Sequence, residues 1–134
     1  MGSPLELGGR WTYRSFMSKP DHVKSFDELK FGQGDFVIDP SPPGVFAGIL
    51  NLETGASLTL KGTMTYGNPC MVSFRGTGVS PKAVGWIYDY VGFLVPHWLN
   101  GVDQRPAIIG TVIRTVEHDD QSAGYVACWI AVRQ

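Results

Sequence analysis

The side chains able to do chemistry gather in one stretch. Gly85-Trp86-Ile87-Tyr88-Asp89-Tyr90-Val91-Gly92 is followed by Pro96-His97-Trp98 and then by Asp103-Gln104-Arg105. Asp89 has the parity of Ile87, Val91 and Phe93, so its carboxylate is expected among apolar side chains. An unpaired carboxylate there would have a raised pKa and suit general acid–base work; an arginine beside it, for instance Arg114 on the next strand or one across a subunit contact, would make it a structural ion pair. His97 stands where a strand ends, a place for a proton shuttle or for a plain solvent-facing loop residue. Arg105 can offer a guanidinium fork to a ligand carboxylate, unless Asp103 ties it within its own turn.

Rings come with these polar groups. Trp86, Tyr88, Tyr90 and Trp98 lie in or beside the stretch, and Tyr13, Tyr125 and Trp129 lie outside it. Such side chains line small-molecule pockets, supplying buried area from the ring and orientation from the phenol or indole end; plain core packing is the competing account. Other chemistries lack their residues. His22, His97, His118, Cys70 and Cys128 show no paired metal spacing, and His118-Asp119-Asp120 reads as a polar hairpin turn. No phosphate-cradling glycine loop or nucleophile elbow occurs, so neither cofactor nor metal is expected.

The elements that must hold these residues are extended. The 134 residues contain 17 Gly and 9 Pro, and charged residues make up 17%, which excludes a helical bundle, a coiled coil and a disordered chain. A net charge of -1 leaves no electrostatic footprint for nucleic acid. No apolar run approaches the roughly 18 residues of a membrane helix, and no leader is visible, so neither a membrane nor secretion is expected. Two cysteines make no framework, which points to free thiols in a reducing, cytoplasmic setting.

Turn residues recur at the spacing of an all-β fold, and they separate extended runs at 9–17, 34–39, 45–51, 57–66, 71–78, 84–95, 106–116 and 124–133. Short connections favour an eight-stranded antiparallel up-and-down meander closed into a barrel, with a two-sheet sandwich as runner-up. Only 18–31 interrupts the pattern. There Ser25-Phe26-Asp27-Glu28-Leu29 predicts one short helical turn after the first strand, capped by Ser25 with Glu28 three residues on. The whole chain reads as a single barrel domain, with residues 1–7 expected to be flexible.

Leu58, Leu60 and Met64 alternate with Thr59, Lys61, Thr63 and Thr65, giving one inward and one wet face. The last three strands are apolar on both faces. Such strands are covered on both sides, which predicts a homo-oligomer joined through the outer faces of those strands, or a second sheet if the fold is a sandwich.

Gly9-Arg10-Trp11 in the first strand, with Arg133 near the end of the last, resembles the calycin pattern of lipocalins and avidins. That resemblance implies a closed barrel in which Arg133 packs over the Trp11 indole. Avidins are also similar in using their last three strands for subunit contacts. The segment Thr12-Tyr13-Arg14-Ser15-Phe16 departs from the avidin pattern, so biotin binding does not follow. Gly76-Thr77-Gly78 before Gly85-Trp86 is similar to allene-oxide-cyclase-like barrels.

Together these readings predict a barrel binding a small hydrophobic or aromatic molecule in an aromatic-lined interior. The alternative is a cofactor-independent isomerase, cyclase or lyase using Asp89 or His97 as acid/base. A third reading is an assembly module with a filled interior.

Overall fold

The computed structural model describes residues 7–39 and 42–134. Eight strands follow in order: β1 (Gly9–Met17), β2 (Lys30–Ile38), β3 (Val45–Leu52), β4 (Ser57–Thr65), β5 (Met71–Gly78), β6 (Ile87–Leu94), β7 (Ala107–Arg114) and β8 (Val126–Arg133). Each pairs antiparallel with the next, and β1 pairs with β8, closing a meander barrel rather than a sandwich. Closure leaves no unpaired sheet edge. β2 begins at Lys30 rather than Gly34, and β6 at Ile87 rather than residue 84, since Gly85 turns with φ +83° just before it.

The helical turn expected after the first strand is a correction. Ser25 and Glu28 do exchange capping bonds: Ser25 N donates to Glu28 Oε1 at 3.0 Å and Glu28 N to Ser25 Oγ at 3.3 Å. The chain then enters β2 at Lys30, so the segment completes a hydrogen-bonded turn and no helix. Among the described residues the 3-10 turn lies at Pro81–Ala83, after β5, where Pro81 presets φ at its start.

Strand parity sorts the side chains. Trp11, Phe36, Phe46, Leu58, Leu60, Phe74, Tyr90, Ile108 and Trp129 point inward and are buried. Trp129 crosses two strands to fill the middle: Gly110 is its partner on β7, Gly92 is the partner of Gly110 on β6, and a Cβ on Gly92 would lie 2.7 Å from the indole. The missing side chain at Gly92 is what leaves room for so large a ring. Phe46 and Phe74 stack at 4.3 Å, and Phe74 and Tyr90 at 4.8 Å, so one half of the barrel is packed solid.

The packed end is sealed by the first and last strands. Arg133 is the cross-strand partner of Trp11, its guanidinium carbon sits 5.9 Å from the indole centroid, and its Nη2 donates to Gly8 O at 2.8 Å. A cation on an indole face contributes about 0.5–2 kcal/mol. Trp11 Nε1 donates to Leu7 O at 2.9 Å. Leu7 is buried, and residues 1–6, the rest of the segment expected to be flexible, lie outside the described residues.

Candidate functional site

The other end of the barrel is open. The connections after β1, β3, β5 and β7 surround a cavity of about 330 Å³. Tyr13, Tyr90, Leu50 and Leu58 form its floor, and Phe31, Trp86, Tyr88, Arg114 and His118 its wall. The volume is near the lower limit for a small-molecule pocket, which sets the scale of a guest. Burial pushes the Tyr13 phenol up to about 12 and the Tyr90 phenol well above its ordinary value, so both floor hydroxyls stay protonated across the neutral range.

A polar chain runs along the wall. Arg114 Nε donates to Tyr88 Oη at 3.0 Å; Tyr88 Oη lies 2.6 Å from His118 Nε2; and His118 Nδ1 lies 3.2 Å from Asp119 Oδ2. Its polarity follows from what each end is able to do. Arginine only donates and an ionised carboxylate only accepts, so with the imidazole neutral Nδ1–H faces Asp119 and Tyr88 O–H donates to Nε2. Burial raises the Tyr88 pKa, and the Arg114 guanidinium partly offsets it. Trp86 stacks on His118 at 4.2 Å and fixes the ring plane.

The β7–β8 hairpin brings His118 there. His118 and Gln121 exchange backbone bonds across Asp119 and Asp120, which take φ of 50° and 63°. Two successive left-handed residues make the tight turn whose twist suits a hairpin, and aspartate tolerates that conformation better than most side chains. The polar turn read from the sequence is present, and the imidazole before it reaches back into the mouth.

The structure divides the expected site residues. Tyr13, Trp86, Tyr88 and Tyr90 line the cavity. Trp129 is inside the barrel but packed against Tyr13 and Phe36, and its Nε1 donates to Thr111 O at 2.9 Å. Tyr125 stacks on Phe31, with the Arg114 guanidinium carbon 5.4 Å from each ring. His97, Trp98 and Arg105 are exposed in the β6–β7 connection, at the sealed end, away from the cavity mouth. Gln104, not Asp103 or Arg105, ties that turn, its side chain bonding both Trp98 N and Trp98 O at 2.6 Å.

Asp89 requires a correction of place. With Tyr88 and Tyr90 inward, alternation puts Asp89 on the outer wall, so it is not an acid/base inside the barrel. Its partner is Arg75, directly opposite on β5, with Nε to Oδ1 at 2.8 Å; Thr115 Oγ1 donates to Oδ2 at 2.6 Å. The Arg75 hydrogen bonds hold the carboxyl below its ordinary range against partial burial. Arg114, the neighbour considered for it from the sequence, instead faces the interior.

Arg114 and His118 are site residues that the sequence does not single out. A signal existed for the first: Arg114 continues the parity of Ile108, Gly110 and Val112, an inward face, and a charge on an inward face is exceptional. His118 gave none, because its approach depends on how the hairpin folds back. Both cysteines are free, Cys70 buried and Cys128 exposed. Among the described residues no group of three His, Cys, Asp or Glu side chains could hold a metal ion, and no helix is long and apolar enough to cross a membrane. No family model, curated protein or solved structure matches the chain.

Proposed function

We propose that this protein binds a small, largely apolar molecule in the open end of its barrel. The observation that carries the reading is the uneven filling: a solid aromatic half below and a cavity of about 330 Å³ above, ringed by Tyr13, Tyr90, Tyr88 and Trp86. A barrel meant only as a scaffold gains stability by packing that volume with side chains. The Trp11–Arg133 closure supports a calycin-like reading of the same architecture. An apolar interior with Arg10, Arg14, Lys61 and Arg75 on the outer wall is the reverse of a channel-forming membrane barrel, and the free thiols are in keeping with a cytoplasmic protein.

Titration with N-phenyl-1-naphthylamine, a neutral dye that brightens in apolar sites, tests the reading. Saturable binding is expected, weakened roughly tenfold in Trp86→Ala, which removes a wall ring. A dye signal indifferent to that substitution would place binding elsewhere and defeat the proposal.

A second reading has one observation in its favour. The Tyr88–His118–Asp119 chain is a proton-transfer arrangement, and it would serve an isomerase or lyase in the place first assigned to Asp89 or His97. Turnover abolished in His118→Gln with dye affinity retained would support it.

We also propose that copies of the chain meet through the outer wall of β6–β8. Val91, Phe93, Ile109, Ile113, Val126 and Ile130 face outward there, and Phe16, Phe93, Ile109 and Ile130 line an apolar groove.

A further inference from the structure

We infer that the guest of this cavity is an organic anion, a flat apolar body carrying a carboxylate seated on Arg114. This inference rests on the proposed binding function and names its ligand class. Arg114 is only 6% exposed, and among the described residues it makes no ion pair. A buried cation without a carboxylate is costly, and proteins retain one where something anionic comes to it.

The guanidinium is held but not used up. Of its five N–H donors, Nε is spent on Tyr88 and one on Nη1 is spent on Ser122 O at 3.2 Å. Nη2 makes no hydrogen bond to any described residue, yet no buried side-chain nitrogen or oxygen among them lacks a partner, so Nη2 reaches accessible space. Arg114 lines the cavity, and that is the space available to it. Phe31, Tyr125 and Tyr88 surround the guanidinium carbon at 5.4, 5.4 and 5.8 Å. These rings fix its plane and exclude water, which strengthens a charge-assisted bond to an incoming carboxylate.

The acidic side chains of the mouth are otherwise engaged. Glu53 is bound by Lys30 at 3.0 Å and by Gln33 at 3.3 Å, and Asp119 by His118. Asp119 stands at the far end of the polar chain, two side chains removed from Arg114. The apolar floor of Leu50, Leu58 and Tyr13 takes the body of the molecule. Arg114, in the cavity wall, rather than Arg105, exposed at the sealed end, is thus the anion clamp of this site.

Calorimetric titration with 2-naphthoate and its neutral isostere 2-naphthamide tests the inference. The carboxylate is expected to bind about tenfold or more tighter than the amide, with the advantage falling as salt rises. In Arg114→Met the carboxylate's advantage over the amide is expected to vanish, whatever the substitution does to the affinity the two probes share. Equal affinity of the two probes for the unmodified protein would overturn the anionic ligand and leave the cavity reading standing. A preference that survives Arg114→Met would also overturn it. Failure of both probes and of the neutral dye would overturn the binding reading itself. Because the first comparison needs no substitution, it decides the matter even if Arg114→Met does not fold.

Discussion

Parity decides residue roles here more than residue type does. Asp89 and Tyr90 are adjacent, yet one faces solvent and Arg75 while the other is buried in the cavity floor. Asp89→Asn is therefore expected to leave naphthylamine binding unchanged and to move the urea midpoint little, because exposed ion pairs contribute little. A large loss of binding would restore Asp89 as a site residue. Tyr13 makes the opposite prediction. Its native pKa of about 12 lies above the ordinary 10.0, so the unfolded chain releases that proton first as pH rises. Its contribution is intact below pH 10 and is lost between about pH 10 and 12, a change on the order of 2–3 kcal/mol. Urea unfolding at pH 8 and pH 11.5 should show that loss, and Tyr13→Phe should shrink it; an equal loss in both proteins would assign it elsewhere, Tyr90 being the nearest alternative.

At the scale of elements, the glycines of β6 and β7 are as consequential as the rings they admit. Trp129 on β8 is the cross-strand partner of Gly110 and its indole reaches Gly92, where a Cβ would also come within 2.9 Å of Ile109 O; a Cβ at Gly110 would instead run into the β6 backbone at Val91. Gly92→Ala should cost about 1–3 kcal/mol through displacement of the indole, read as a lowered urea midpoint with the slope unchanged. No change would mean that Trp129 does not hold the packed half in place. The hairpin after β7 shows the complementary case. Its left-handed Asp119 and Asp120 are local chemistry readable in the sequence, while the docking of His118 on Trp86 and Tyr88 is tertiary.

For the whole molecule, the outer wall carries its own asymmetry. The outward positions of β1, β2, β4 and β5 include Arg10, Arg14, Asp35, Lys61 and Arg75, whereas on β6–β8 Asp89 alone is charged, beside Val91 at 48% and Val126 at 47% exposure. Light scattering at micromolar concentration is expected to report more than one subunit, and Ile130→Arg to return the monomer mass, since burying an unpaired charge costs several kcal/mol. A monomer before substitution would end the self-association proposal.

Eight strands in meander order are legible in the sequence by itself, from period-two alternation and turn residues, which act over a few positions and need no knowledge of distant partners. The Trp11–Arg133 closure is not local in that sense: only the resemblance of Gly9-Arg10-Trp11 and Arg133 to the calycin pattern implies it, and a sandwich stays an alternative until the structure pairs β1 with β8. The sequence also separated the two faces of each strand, so Asp89 and Tyr88 were distinguished before their directions were known. The tertiary structure alone decided which face turned inward on strands apolar on both sides, because inward and outward differ only once the sheet has curved shut. It alone decided which loops share an end of the barrel, setting Trp86 and His118 around one mouth and sending His97, Trp98 and Arg105 to the other. Neighbourhood among loops is a property of closure, and nothing in the order of residues along a strand encodes it.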